Sequence, residues 1–286
     1  MEFAPWKPFA SMTQTTVIDP WGWDLALNAR LLRSGVGESY LPTDAALDAV
    51  RQLSHRRTSA QLLPMLQREG TVGEAFECRS TEEVEALLGR YGRMVLKAPW
   101  SSSGRGLRFV QRDAMSSPHV AGWLRNLLAV QGSVMAEPYY NKVKDFGMEF
   151  TCLPSGEVRY DGLSLFHTAN GAYTGNILAT EATKREMISR YVSLDLLDEV
   201  KTAICKGLAP VLRGKYAGPL GVDMMIVGHD GGALLHPCVE INMRRTMGHA
   251  ALAVSPSDDD IVRVMRIRYS GSDMRGTEYE IEIRKA

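Results

Sequence analysis

Residues 218–245, GPLGVDMMIVGHDGGALLHPCVEINMRR, constrain the fold more than any other stretch of the chain. Positions 222–227 are apolar except for Asp223, and residues 233–242 form a second extended run. Between them lies Gly228-His229-Asp230-Gly231-Gly232, where Asp-Gly and Gly-Gly tolerate the positive φ that a hairpin turn needs. The second run ends on Glu240, Asn242 and Arg244. Residues two apart on a strand share a face, so these three side chains point the same way. In an antiparallel pair Asp223 lies across from them. Two carboxylates and an amide oxygen suit a hard divalent cation, and an adjacent guanidinium suits phosphate or carboxylate. The bland alternative, an ordinary exposed hairpin with solvated charges, is about as well supported by these residues alone.

A second stretch, MVLKAPWSSSGRGLRFV over residues 94–110, reads as two strands around a flexible loop, with Lys97 ending the first strand. Serines and glycines let backbone N–H groups approach a phosphate closely. The pattern is not a P-loop, since GxxxxGK[ST] is absent and strand leads to strand. Gly35-Val36-Gly37 is not a dinucleotide fingerprint either, because no strand precedes it and the third glycine is missing. A third stretch, Val134 to Tyr139, delivers Glu137 and then bends at Pro138, and Glu149 follows downstream.

The remaining periodicities predict helices over residues 25–34, 43–53, 60–68, 81–88, 120–130, 181–192, 194–213, 248–254 and 258–267. Short strands are expected at 75–78, 93–98, 107–111, 133–137, 146–153, 158–167 and 278–284, with an irregular packing arm over 1–16 and a loop over 167–175. Lys plus Arg equals Asp plus Glu at 33 each, which removes any general signal for nucleic acid. The four cysteines lack CxxC spacing, against a zinc or disulfide framework. With no signal-peptide pattern and no membrane-length apolar run, the expectation is a cytoplasmic α+β protein that binds neither nucleic acid nor membrane. The oligomeric state is open.

Taken in order, these pieces resemble the ATP-grasp superfamily. Residues 97–110 look like the glycine-rich lid of biotin carboxylases. Glu240-Ile241-Asn242-Met243-Arg244 is similar to the Glu-x-Asn-x-Arg signature of the superfamily, and Glu149-Phe150-Thr151 to a segment of D-alanine–D-alanine ligases. The likeness covers residues 53–249. It implies two α+β subdomains clasping ATP, here a lid subdomain over 54–138 and a metal-bearing subdomain over 139–286. They follow a reduced, mostly helical N-terminal region over 1–53. Such ligases usually carry a full α/β domain before the lid, so that domain is reduced here or the chain is truncated.

The resemblance implies these roles. Lys97 holds the α- and β-phosphates, with Arg56 or Arg57 as the second nucleotide cation. Ser101, Ser102, Ser103, Gly104 and Gly106 close over the triphosphate. Glu137 and Tyr139 present the hinge to adenine, and Glu149 holds the ribose. Asp223, Glu240 and Asn242 bind Mg²⁺ (or Mn²⁺), and Arg244 steadies the transferred phosphoryl group. Two departures matter: the lid carries Pro99-Trp100-Ser101 where biotin carboxylases are nearly all glycine, and substrate contacts have no motif. Tyr173 and Asn176, in the polar loop, and Arg245 and His249, near the next helix start, are the candidates for substrate. The implied activity is a ligase joining a small carboxylate to an amine or thiol through an acyl-phosphate. A small-molecule kinase and an inactive nucleotide-binding module are the rivals.

Overall fold

The computed structural model describes residues 17–101, 106–113, 115, 117–169, 172–273 and 276–285; for 169, 172, 268–273 and 276–280 it describes the backbone alone. Ser102, Ser103, Gly104 and the expected arm over 1–16 therefore lie outside the described residues. Two short helices lead the chain, α1 (Leu25–Arg33) and α2 (Asp44–Leu53). Asp24 and Thr43 cap them by accepting from the N–H of Leu27 and Ala46. Ser80, Thr180, Ser193 and Thr246 do the same for later helices. Each such cap is worth about 1 kcal/mol and fixes where the chain enters its helix.

The first layer is a four-stranded antiparallel sheet in the order β1-β4-β2-β3. Its strands are β1 (Phe76–Cys78), β2 (Arg93–Lys97), β3 (Leu107–Gln111) and β4 (Val134–Pro138). Helices α4 (Thr81–Tyr91) and α5 (Pro118–Gln131) cover one face, where Val84, Leu88, Leu124 and Leu127 meet Met94, Leu96, Val110 and Ala136. Alternation along β2 then sends Val95 and Lys97 toward the other face.

The second, larger sheet has the order β10-β9-β5-β6. It comprises β5 (Lys142–Cys152), β6 (Val158–Ser164), β9 (Gly218–His229) and β10 (Gly232–Asn242). Phe146, Met148, Val222, Met224 and Ile226 pack on α3 (Arg57–Leu66), α6 (Glu181–Ser189) and α7 (Leu194–Leu212). Burying a Leu, Val or Phe side chain of this kind contributes about 1.5–3 kcal/mol. Although α3 lies within the stretch expected as the lid subdomain, its Leu62, Leu63 and Leu66 belong to this larger core.

A third sheet, β12-β11-β8-β7, is built from β7 (Phe166–Ala169), β8 (Ala172–Leu178), β11 (Arg263–Asp273) and β12 (Gly276–Lys285). The short helix α8 (Met247–Ala253) packs on it through Ala251, against Leu178 and Met265.

Several expected elements differ. The helix expected over 258–267 does not form: its second half, from Arg263, begins strand β11, because Met265 and Ile267 pair with Ile283 and Ile281 of β12 and follow a period of two. The loop expected over 167–175 is the β7–β8 hairpin, with His167 opposite Gly175. Helix α3 begins at Arg57 and not at residue 60, since Thr58 and Ser59 are buried against neighbours and not solvated.

Candidate active site

The hairpin β9–β10 places Asp223 directly opposite Glu240, after a register shift that spans Pro237, Cys238 and Val239. With Val222, Met224 and Ile226 committed to the core, Asp223 and Met225 point to the opposite face. Asn242 donates from Nδ2 to Asp223 Oδ2 at 3.0 Å, and Arg244 donates from Nη2 to Asn242 Oδ1 at 3.0 Å. Asp223, Asn242 and Arg244 thus form one hydrogen-bonded line. Glu240 meets a different partner: Arg56 Nη1 lies 2.8 Å from its Oε2.

Arg56 is 9% exposed and ties several elements together. Its Nε donates to Ala98 O at 3.1 Å, its Nη2 to Ser101 Oγ at 3.2 Å and its backbone N–H to Pro99 O at 3.2 Å. The guanidinium therefore joins the root of the β2–β3 loop to the carboxylate of the larger sheet. Trp100 fixes the same root. Its indole N–H donates to Arg51 O, its backbone pairs with the Gln131 amide, and its ring meets His55 edge-on at 4.6 Å. Gly106 closes the loop at φ +76, where a Cβ would come within 3.0 Å of Ala98 Cβ.

On the small sheet, Lys97 Nζ lies 2.5 Å from Glu137 Oε2, and both side chains are buried. Tyr139, just beyond β4, donates its backbone N–H to Arg93 O at 3.0 Å. The Arg93 guanidinium lies 4.1 Å over its ring.

A third group gathers beside the hairpin, on the sheet face that Asp223 shares. Glu149 on β5 is 3% exposed, and its Oε2 lies 3.0 Å from His249 Nδ1. Burial lowers the His249 pKa, but the hydrogen bond and charge of Glu149 outweigh it, so the net shift is upward. Gly248 makes the group possible, since a Cβ there would stand 1.8 Å from Glu149 Oε1 and 2.5 Å from Ser164 Oγ. Ser164 in turn accepts from Asn176 Nδ2 at 2.8 Å, and Tyr173 donates to Asn176 Oδ1. Tyr173, Asn176 and His249 thus converge through Ser164 and Glu149. Arg245 stands apart, engaged with Asp19 and Trp21.

The donor set fits Mg²⁺ in a limited way. Among the described residues no group of three or more His, Cys, Asp or Glu is arranged to hold a metal. Asp223, Glu240 and the Asn242 amide instead supply a partial set of hard oxygens, the kind that Mg²⁺ completes with phosphate and water. Loss of hydration, then repulsion from Glu240 and Glu149, pushes the half-buried Asp223 carboxyl up to about 7. Such excess negative charge is what a bound cation would relieve.

Solved structures share the fold of this chain. A 2-oxoglutarate carboxylase biotin carboxylase domain dimer from Hydrogenobacter thermophilus, with MgADP, ADP and bicarbonate, is similar at TM-score 0.56 and 12% identity, covering 84% of this chain and 63% of that one. N5-carboxyaminoimidazole synthetase from Staphylococcus aureus, complexed with ADP, is similar at 0.51 and 14% identity, covering 76% and 57%. Carboxyaminoimidazole ribonucleotide synthase from Aspergillus clavatus, complexed with ATP, is similar at 0.51 and 14% identity, covering 85% and 63%. The chain spans 57–63% of the length of these structures. No family model matches the sequence, and no curated protein matches it significantly. The chain has the ATP-grasp fold, the fold of these nucleotide-bound enzymes.

Sequence reasoning did not find the partners that tie the site together. Arg56 with Glu240, Lys97 with Glu137, and Ser164 under Gly248 are pairs distant in the chain, and no local pattern signals them.

Proposed function

We propose that this chain is an ATP- and Mg²⁺-dependent ligase that activates a small carboxylate as its acyl-phosphate and passes the acyl group to an amine or thiol. The observation that carries this reading is the register of Asp223 against Glu240 with Asn242 and Arg244 in line, on an ATP-grasp fold. Asp223, Glu240 and Asn242 would hold Mg²⁺, whose charge offsets the triphosphate when bound. Lys97 binds the α- and β-phosphates, parting from Glu137 to do so, and Arg56 adds a second cation. Ser101 and Gly106 frame the loop over the phosphates, Glu137 and Tyr139 lie at the adenine edge, and Glu149 serves the ribose side. A substrate carboxylate oxygen attacks the γ-phosphorus as the bond to the bridging oxygen breaks and ADP leaves. Arg244 binds the phosphoryl oxygens as charge spreads over them. Tyr173, Asn176 and His249 line the substrate side.

Calorimetric titration of ATP with and without Mg²⁺ tests the nucleotide site, and Glu240→Gln tests the metal. Mg²⁺-dependent binding that Glu240→Gln abolishes is the expected result. Unchanged ADP release by that variant would remove the metal assignment. Given a turned-over acid, hydroxylamine traps an acyl-hydroxamate from a ligase and none from a kinase.

A further inference from the structure

The segment Asp19-Pro20-Trp21-Gly22 has no part in the reading above, yet it lies across the two arginines that end the hairpin. The Arg245 backbone N–H donates to Trp21 O at 2.8 Å, and the Arg245 guanidinium forms an ion pair with the Asp19 carboxylate. Gly22 sits against the stem of Arg244: a Cβ added there would lie 2.8 Å from Arg244 Cβ, 3.7 Å from Cδ and 3.8 Å from Cγ. The first of these is closer than real Cβ atoms come, and Arg244 Cβ is not a flexible end that can swing away. Asp24 then fixes the exit of the segment, accepting the Leu27 N–H at 2.7 Å to start α1.

At its head, Arg244 donates from Nη1 to Arg245 O at 3.0 Å and from Nη2 to Asn242 Oδ1 at 3.0 Å. Each terminal nitrogen is thus used once, which leaves Nε–H and the outer N–H groups for an anion. A guanidinium held at its head and walled along its stem loses little rotamer freedom when it engages a phosphoryl group.

We propose that residues 19–22 form a strap that positions Arg244 for the phosphoryl group, while Asp19 pairs with Nη2 of Arg245 and withholds that guanidinium from substrate anions. This rests on the role given to Arg244 above. Of the two neighbouring arginines, the strap leaves one free to bind an anion and makes the other part of the scaffold.

The test pairs two measurements on the full chain. The first is the Arg Nε–H resonance of Arg244, assigned by its loss in Arg244→Gln, in wild type, Gly22→Ala and Asp19→Asn. The second is the ratio of affinities for the β,γ-imido analogue of ATP and for ADP, both with Mg²⁺. Gly22→Ala is expected to shift the Arg244 resonance and to lower the affinity ratio about tenfold, the equivalent of about 1.4 kcal/mol. Adding Gly22→Ala to Arg244→Gln should lower the ratio no further, because both act on one interaction. Asp19→Asn, the milder change, should move the Arg245 resonance and leave the ratio intact. An unmoved Arg244 resonance in Gly22→Ala, or additive effects in the double variant, would overturn the strap. A moved resonance with a ratio that even Arg244→Gln leaves unchanged would overturn the role of Arg244 itself.

Discussion

Replacing Lys97 with methionine keeps most of the side-chain volume and removes the charge. In the folded protein this leaves Glu137, side chain 9% exposed, without the ammonium that sits 2.5 Å away. Breaking a buried ion pair from one side costs about 3–5 kcal/mol, because the stranded charge has neither water nor partner. For a chain of this size about 1 kcal/mol moves the melting temperature by roughly 2 °C, so a fall of roughly 6–10 °C is expected. The double variant Lys97→Met, Glu137→Leu should recover most of that loss, since an apolar pair of similar volume is often neutral or better. Thermal melting of the four proteins in the cycle is the assay. A shift below about 1 kcal/mol for Lys97→Met, or a double variant that loses the sum of both singles, would refute the buried-pair argument. The cycle also separates two effects in the nucleotide measurement. Nucleotide binding lost in the stable double variant reports on direct contacts of Lys97 and Glu137, whereas loss in the single variant alone reports on the small sheet.

Three other outcomes are expected. Asp223 has its pKa raised from 3.8 to about 7, so a proton competes with a divalent cation below neutrality. Nucleotide-free Mn²⁺ affinity, followed by electron paramagnetic resonance, should fall as pH drops below 7 and level off above it. The folded state holds a proton that the unfolded chain releases, so metal-free stability should fall as pH rises from about 4 to 7, a slope that Asp223→Asn removes. Gly248→Ala drives a Cβ into Glu149 and Ser164, both buried, and should cost about 3 kcal/mol by denaturant melting; a loss under 1 kcal/mol would mean that the Glu149–His249 pair yields easily. Arg56→Gln should change two affinities in opposite directions. Mn²⁺ without nucleotide should bind more tightly once Glu240 is free of its guanidinium, and MgATP should bind less tightly. Equal loss of both would show that Arg56 does not compete for Glu240.

The sequence carried the strands of the candidate site well, because their evidence is local. Asp-Gly-Gly marks the β9–β10 turn, and one carboxylate in an apolar run marks the face that Asp223 takes. What it did not carry depends on distant partners. Residues 258–267 hold apolar side chains at helical as well as alternating spacing, and only the pairing of Met265 with Ile283 and of Ile267 with Ile281 settles the choice in favour of strand. The β7–β8 hairpin was hidden for the opposite reason, since its Gly- and Asn-rich sequence has little strand propensity and its neighbours β11 and β5 stabilise it. Arg56 shows the same limit at the site. Its position near a helix start is legible, whereas its grip on Glu240, Ala98 and Ser101 exists only after three elements have met.

The two connections between the small and large sheets lie side by side. Residues 70–72 are stitched to β10 by the exchange between Gly70, Val72 and Leu235, and Asn141 accepts from Gly228 of β9. Between them the Glu74 N–H donates to the Tyr140 hydroxyl, whose ring rests edge-on against His236. A second tie lies at the root of the β2–β3 loop, where Arg56 holds Ala98 and Ser101 and Trp100 holds Arg51. If those contacts part, the line through Glu74 and Tyr140 is the joint about which the two layers would turn, with the greatest separation at that loop root. Spin-label distances should therefore widen between α5 and α7 while a pair flanking residues 74 and 140 stays fixed.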